Sequence, residues 1–171
     1  MSNGPTPETL GFLSHGTIDF GVVSSPVDAR PEVSVTEVKK IRNIFVAGEQ
    51  FKHLKGKRLE YGILKELPCI FLEKNTRRFM DDFLEKLGIV VEPEFELATS
   101  DMIVQFAMRN LGIGCVMSEF AEKEIEAGHL FELEFKQGMP ERSFCIITDR
   151  KNPMSPAGGR LLELLMEKPM I

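Results

Sequence analysis

Three histidines, His15, His53 and His129, are the first residues to test for chemistry, because imidazole is a common metal ligand and titrates near neutral pH. They lie far apart beside turn signals, and none has an acidic or cysteine partner at ligand spacing, so no metal site is expected. Carboxylates cluster at Asp81-Asp82 and at Glu92, Glu94 and Glu96, where paired acids could do general acid–base work. The first pair falls on the polar face of a predicted helix and the second group alternates outward along a predicted strand, so both read as solvated surface. Gly112-Ile113-Gly114 matches part of a dinucleotide fingerprint, yet it follows a helix and precedes a strand, the reverse of the order that places a pyrophosphate on a helix N-terminus. The cysteines Cys69, Cys115 and Cys145 sit among apolar residues in predicted strands, lack CxxC spacing and are odd in number, which reads as reduced core thiols in a cytoplasmic protein. No nucleophile is paired with a base. The expectation is a chain with no catalytic residue and no cofactor, and not an enzyme.

What remains is anion binding by backbone amides. Small polar residues cluster at Asn75-Thr76 and again at Thr99-Ser100, each directly after a predicted strand and at the start of a predicted helix. The helix after the first cluster carries Phe79, Met80, Phe83, Leu84 and Leu87 as one apolar stripe, with Arg77, Arg78, Asp81, Asp82, Glu85 and Lys86 on the other face and Gly88 as its stop. Asn75 or Thr76 is its expected cap. The second helix repeats the stripe at Ile103, Phe106, Ala107 and Leu111, with Gly112 as its stop and Thr99 or Ser100 as its cap. The strands are the short runs 69–72, 95–97 and 113–116. Strands alternating with helices imply a mostly parallel sheet with right-handed crossovers. Two helix N-termini then point their unpaired N–H groups toward one carboxyl edge, where a small anion would bind.

The other elements follow from the same signals. Thr6 and Pro7 open a short helix that Gly16 closes, and Ile18, Phe20, Val22 and Val23 make a buried strand ending at Ser24-Ser25-Pro26. The alternating VSVTEV and the apolar IRNIFVAG read as one long extended segment or two in tandem, passing from one sheet to another. Signals are weaker from Glu49 to Leu67. Ser118 is the expected cap of a helix ending at Gly128, residues 130–135 alternate as a strand, residues 143–148 form another apolar run, and Ser155-Pro156 opens a last helix with Leu161, Leu162, Leu165 and Met166 as its stripe and Pro169 as its end. With 171 residues, 43% of them hydrophobic, the chain can bury a substantial core as one domain or two small lobes. A net charge of −5 without a dense basic cluster argues against phosphate-backbone binding by these residues alone. No apolar run approaches membrane-spanning length, and MSNGPTPETL lacks the apolar core of a signal peptide.

The succession TPETLGFLSHGTIDFGVVSSPV, IRNIFVAGEQF, PCIFLEKNTRRFMDDFLEKLGI, FELATSDMIVQFAMRNLGIGCVM, AEKEIEAGHLFELEF, ERSFCIITDRKNPMSPAGGRLLELL resembles the effector-binding domain of LysR-type transcriptional regulators over nearly the whole chain. The resemblance implies an α/β fold of two Rossmann-like lobes joined by two crossover strands, similar to type II periplasmic binding proteins, with an effector held between the lobes. Lys40 to Ala47 and Arg142 to Thr148 would be the crossovers, residues 1–41 and 145–171 the first lobe and residues 42–144 the second. The effector contacts it implies are Asn75, Thr76, Thr99 and Ser100, with Ser24 and Ser25 from the other lobe.

Two departures from the family accompany the resemblance. No stretch of the sequence reads as the family's helix-turn-helix, so DNA contact is expected only through such a domain absent from this chain. The strand, helix and strand that open the family's domain have no counterpart before TPETL, so the first lobe is expected to be incomplete. The implied function is sensing of a small, anionic metabolite, in a cytoplasmic homo-oligomer without membrane contact. A transporter's solute-binding protein of the same fold is the alternative, and it would carry an export signal or lipid anchor. An enzyme on this fold would need an acid–base or cofactor-attachment residue in the cleft.

Overall fold

The computed structural model describes residues 6–28 and 30–167. The chain divides into two compact units, Met1–Ile41 with Glu141–Ile171, and Arg42–Pro140.

In the first unit, helix α1 (Thr6–Ser14) leads into strand β1 (Phe20–Ser24), and strands β2 (Val33–Ile41) and β8 (Arg142–Asp149) complete an antiparallel sheet in the order β1-β8-β2. Leu13 of α1 packs with Val23, Val33, Cys145 and Ile147 on one face of that sheet. Helix α5 (Pro156–Glu167) is tethered at its start: Asp19 accepts hydrogen bonds from the Ser155 N–H (2.8 Å) and hydroxyl (2.7 Å), and the Ser155 hydroxyl accepts the Gly158 N–H (3.1 Å). These Ser155 donors hold the Asp19 carboxyl below its usual range, the backbone N–H contributing most. Leu161 and Met166 of the expected apolar stripe are exposed, and Pro169 lies outside the described residues.

The extended stretch after Pro31 is two strands in tandem. β2 belongs to the first sheet, and β3 (Asn43–Ala47), one residue further on, belongs to the second. Residues 142–148, a crossover by resemblance, lie in β8, which among the described residues pairs with β1 and β2 of the first sheet.

The second unit holds a mixed sheet in the order β5-β4-β6-β3-β7, built from β4 (Cys69–Leu72), β5 (Phe95–Leu97), β6 (Ile113–Met117) and β7 (Phe131–Glu132) besides β3. β4 runs parallel to both β5 and β6. Helix α2 (Arg78–Lys86) puts Met80, Phe83 and Leu84 against Phe45, Phe71, Ile113 and Cys115 on one face. Helices α3 (Ser100–Met108) and α4 (Ser118–Glu126) cover the other face, where Ile103, Ala107 and Ala121 meet Ile44, Val46, Ile70 and Val116. The weakly patterned stretch after Gly48 forms two 3-10 helices, Glu49–Leu54 and Tyr61–Lys65, whose Phe51, Leu54, Tyr61 and Leu64 complete the first of these cores. The alternating run 130–135 is a strand only at Phe131–Glu132, although the Leu133 N–H still reaches the Phe45 carbonyl (2.8 Å).

Helix ends show where spacing alone misleads. Gly88 and Gly128 are left-handed (φ 72° and 76°) and close α2 and α4 as expected. α3 ends instead at left-handed Asn110 (φ 60°), whose N–H donates to Ala107 O while the Leu111 N–H reaches Phe106 O. Asn serves there because its Oδ1 also accepts the Gln50 N–H (2.9 Å). Ser118 is the first residue of α4 rather than its cap, and its hydroxyl donates to Glu119.

Gly112, no longer the helix stop, has a packing reason to be glycine. A Cβ there would lie 2.6 Å from the Pro68 carbonyl oxygen, which accepts the Ile113 N–H (2.8 Å) and ties β6 to the start of β4. Gly112→Ala is expected to cost about 1–3 kcal/mol in urea denaturation, since backbone must move. Gly62→Ala, with nothing within 4 Å of the new methyl, should stay within about 0.5 kcal/mol of the parent.

Candidate functional site

The carboxyl ends of β4 and β5 position the candidate residues. The two strands pair in parallel register through Leu72 and Leu97, and the Glu73 N–H extends the pairing to Leu97 O (3.1 Å). From there the chains diverge, since α2 packs on one face of the sheet and α3 on the other. A crevice outside the carboxyl ends of parallel strands, where successive helices leave on opposite faces, is the usual ligand position in open α/β sheets. Asn75, Thr76, Thr99 and Ser100 all lie at this edge.

The two polar clusters are differently engaged. Thr99 is the N-cap of α3, its hydroxyl accepting the Met102 N–H at 3.4 Å. Ser100 is the first helical residue and is nine-tenths buried, and among the described residues no protein group hydrogen-bonds its hydroxyl. The N–H groups of Ser100 and Asp101 have no intrahelical acceptor, as at any helix start. Asn75 and Thr76, by contrast, are exposed turn residues and do not cap α2. The Thr76 N–H donates to Glu73 O (2.8 Å), and the N-cap position belongs to Arg77, which makes no side-chain cap. The local reason is the tight turn at Glu73, which takes both the Thr76 and Arg77 amides and delays the helix past the polar pair.

Arg77 departs furthest from its expected place on a solvated face. Its side chain is 8% exposed. Nε lies 3.1 Å from both Asp81 carboxylate oxygens, and Nη1 donates to the Leu72 carbonyl (2.9 Å) and to Glu96 (2.8 Å). The guanidinium sits 5.8 Å from the centre of the Phe71 ring. One fork thus ties the end of β4, the middle of β5 and the first turn of α2. Asp81 and Glu96, read from spacing as solvated carboxylates, are its acceptors.

Ser24 and Ser25 lie in the first unit, at the carboxyl end of β1. Ser25 is held by the sheet: its N–H donates to Ser143 O (2.8 Å) and its hydroxyl accepts the Ser143 N–H (2.8 Å). The Ser24 hydroxyl accepts from Arg142 Nη1 at 3.4 Å, which brings a cation to a position that spacing did not single out.

The remaining chemistry-bearing residues fit structural roles. All three cysteines are buried and free. Burial, with a smaller effect of the Glu94 charge, pushes the Cys69 thiol up to about 12, and burial with the Glu37 charge raises that of Cys145. His15 faces Gly11 O and His129 faces Glu124, each at 2.7 Å. Among the described residues no group of His, Cys, Asp or Glu could hold a metal ion. A hollow of about 440 Å³ bounded by Leu67, Pro68, Val91 and Glu92 lies at the opposite, amino ends of β4 and β5, away from the polar helix starts.

The chain matches the model of the LysR substrate binding domain over residues 1–169. It belongs to that family. The LysR substrate binding domain is the regulatory, ligand-binding domain of transcriptional regulators, with a fold like that of type II periplasmic binding proteins. Comparison with curated protein sequences finds no match. Solved structures that resemble the chain include the regulatory domain of CcmR from Synechocystis PCC6803 in complex with 2-PG, with TM-score 0.80 and 16% identity, covering 97% of this chain and 81% of that one. The effector binding domain of QuiR in complex with shikimate has TM-score 0.74 at 15% identity, covering 96% and 78%. The cofactor-binding domain of the Cbl transcriptional regulator has TM-score 0.72 at 20% identity, covering 94% and 71%. At these identities the likeness is one of fold. No described helix is long and apolar enough to cross a membrane.

Proposed function

We propose that this LysR-type domain senses a small anionic metabolite at the carboxyl edge of β4 and β5, and that binding biases a conformational equilibrium of the regulator. The carrying observation is Ser100, a largely buried residue whose hydroxyl has no protein partner among the described residues, at a helix start whose first amides are also open. Ser100 and Thr99 are the principal contacts. Asn75 and Thr76 contribute side chains, because the Thr76 amide is already engaged. The QuiR domain is solved with shikimate, which carries a carboxylate at neutral pH and so suits this reading. DNA contact belongs to a helix-turn-helix part outside these residues, and the protein acts in the cytoplasm as a homo-oligomer.

Helix starts favour an anion by about 0.3–1 kcal/mol, and charge-assisted hydrogen bonds add roughly 1.5–3 kcal/mol each. A few such contacts support micromolar binding, about −8 kcal/mol. Native mass spectrometry of the purified chain should identify a bound acid, and calorimetry with that acid then tests the site. Replacing Thr99 and Ser100 together by alanine is expected to weaken binding about tenfold or more. An unchanged affinity in the double variant would remove these residues from the site.

A further inference from the structure

The groups that would favour an anion at the carboxyl edge of β4 and β5 are uncharged: the Ser100 hydroxyl, the first amides of α3, and the exposed side chains of Asn75 and Thr76. The Thr76 and Arg77 amides are spent on Glu73 O, at 2.8 and 3.2 Å. Arg77, the only buried cation among the described residues, is taken by Asp81 and Glu96. Lys74 and Arg78 are exposed, and each has a carboxylate close in sequence, Glu73 next to the first and Asp82 one helical turn from the second. The edge therefore offers no surplus of positive charge.

Two carboxylates flank it instead. Glu73 follows β4, and its N–H pairs with Leu97 O. The register of Leu72 with Leu97, continued by one residue, sets Glu73 beside Ala98, about 4.8 Å across and two residues from Ser100. Asp101 follows Ser100 in the first turn of α3. Both are exposed, and among the described residues neither side chain hydrogen-bonds or pairs with a cation. An acid in the first helical turn interacts with the positive end of the helix dipole, so Asp101 already uses part of the field that would hold a ligand's second charge. One negative charge on a ligand is met by amides and hydroxyls. A second would face Glu73 or Asp101 with no cation to balance it.

We infer that the effector carries one negative charge, a monocarboxylate with an uncharged polar remainder, and that Glu73 and Asp101 exclude phosphate esters and dicarboxylates. The inference rests on the effector site proposed above. Exclusion by unpaired like charge is specificity by repulsion, so it needs no contact with the accepted ligand and is read as the difference between two ligands. The Asn75 amide and the Thr76 hydroxyl, each both donor and acceptor, suit hydroxyl or amide groups on the remainder.

Calorimetry of the full chain compares two monoanions, succinamate and glycerate, with two doubly charged counterparts, succinate and glycerol 3-phosphate. At least one monoanion should bind, and each dianion should bind about tenfold or more weakly than its counterpart. Replacing Glu73 by glutamine and Asp101 by asparagine should narrow that gap by a similar factor. Both residues are exposed, so this variant should fold. A dianion bound as tightly as its counterpart, a gap that persists in the Glu73→Gln/Asp101→Asn variant, or no binding by either monoanion would overturn the inference. The Thr99→Ala/Ser100→Ala variant distinguishes this from failure of the site itself. A dianion that binds the parent and is weakened about tenfold by that substitution keeps the site and removes the charge limit, whereas binding indifferent to it removes the site as well.

Discussion

Replacing Arg77 by methionine is expected to lower the stability of the second unit by about 2–4 kcal/mol, the largest effect of any substitution near the candidate site. The guanidinium is 8% exposed and donates to a backbone carbonyl and two carboxylates. Methionine keeps an apolar stem of similar length but strands the Leu72 carbonyl and leaves Asp81 and Glu96 without their cation. Removing one partner of a buried ion pair typically costs about 3–5 kcal/mol. The carboxylates here are 34% and 45% exposed and can rehydrate, which places the expectation below that range. Arg77→Lys should fall between parent and methionine variant, because an ammonium keeps the charge but cannot span Asp81, Glu96 and Leu72 O at once. Urea denaturation of the three proteins checks the order. A methionine variant as stable as the parent would mean that the fork contributes specificity without net stability.

Arg77 also shows what the sequence made legible and what it did not. Periodicity placed the strands at Cys69, Phe95 and Ile113 and the helices that follow them, because apolar stripes and glycine stops are local signals and Gly88 and Gly128 obey them. The shared carboxyl edge of β4 and β5, with a helix start after each strand, follows from that order. Arg77 was misread because helical spacing projects it onto the polar face, whereas the turn at Glu73 makes it the residue before the helix and lets it fold back over β4. Asn110 was missed because its value lies sixty residues away, at Gln50, where no local pattern can see it. Ser100 was legible only as a competitor for the cap. That Thr99 takes the cap is what leaves the Ser100 hydroxyl open.

The second unit should lose stability steeply in alkali. Burial raises the Cys69 thiol from about 9 to about 12, and burial, with a smaller contribution from Cys115, raises Tyr61 from 10 to about 12. The Cys69 thiol is fully enclosed and lies 3.4 Å from the carbonyls of both Leu64 and Leu67, which further favours the protonated form. Between the unfolded and folded values the unfolded chain has released protons that the folded chain still holds, so stability falls as pH rises. It is complete below pH 9 and declines through the window up to about 12, by as much as roughly 4 kcal/mol from Cys69 alone at about 1.4 kcal/mol per pH unit. Tyr61 steepens the fall above pH 10. Denaturation midpoints at stepped pH measure the slope. Cys69→Ala should begin less stable at neutral pH, because it leaves a cavity between the 3-10 helix and the sheet, yet lose less on going to pH 11. Parallel pH profiles for parent and variant would mean that the thiol ionises without unfolding and that the core beneath α2 and the 3-10 helices admits water at Cys69.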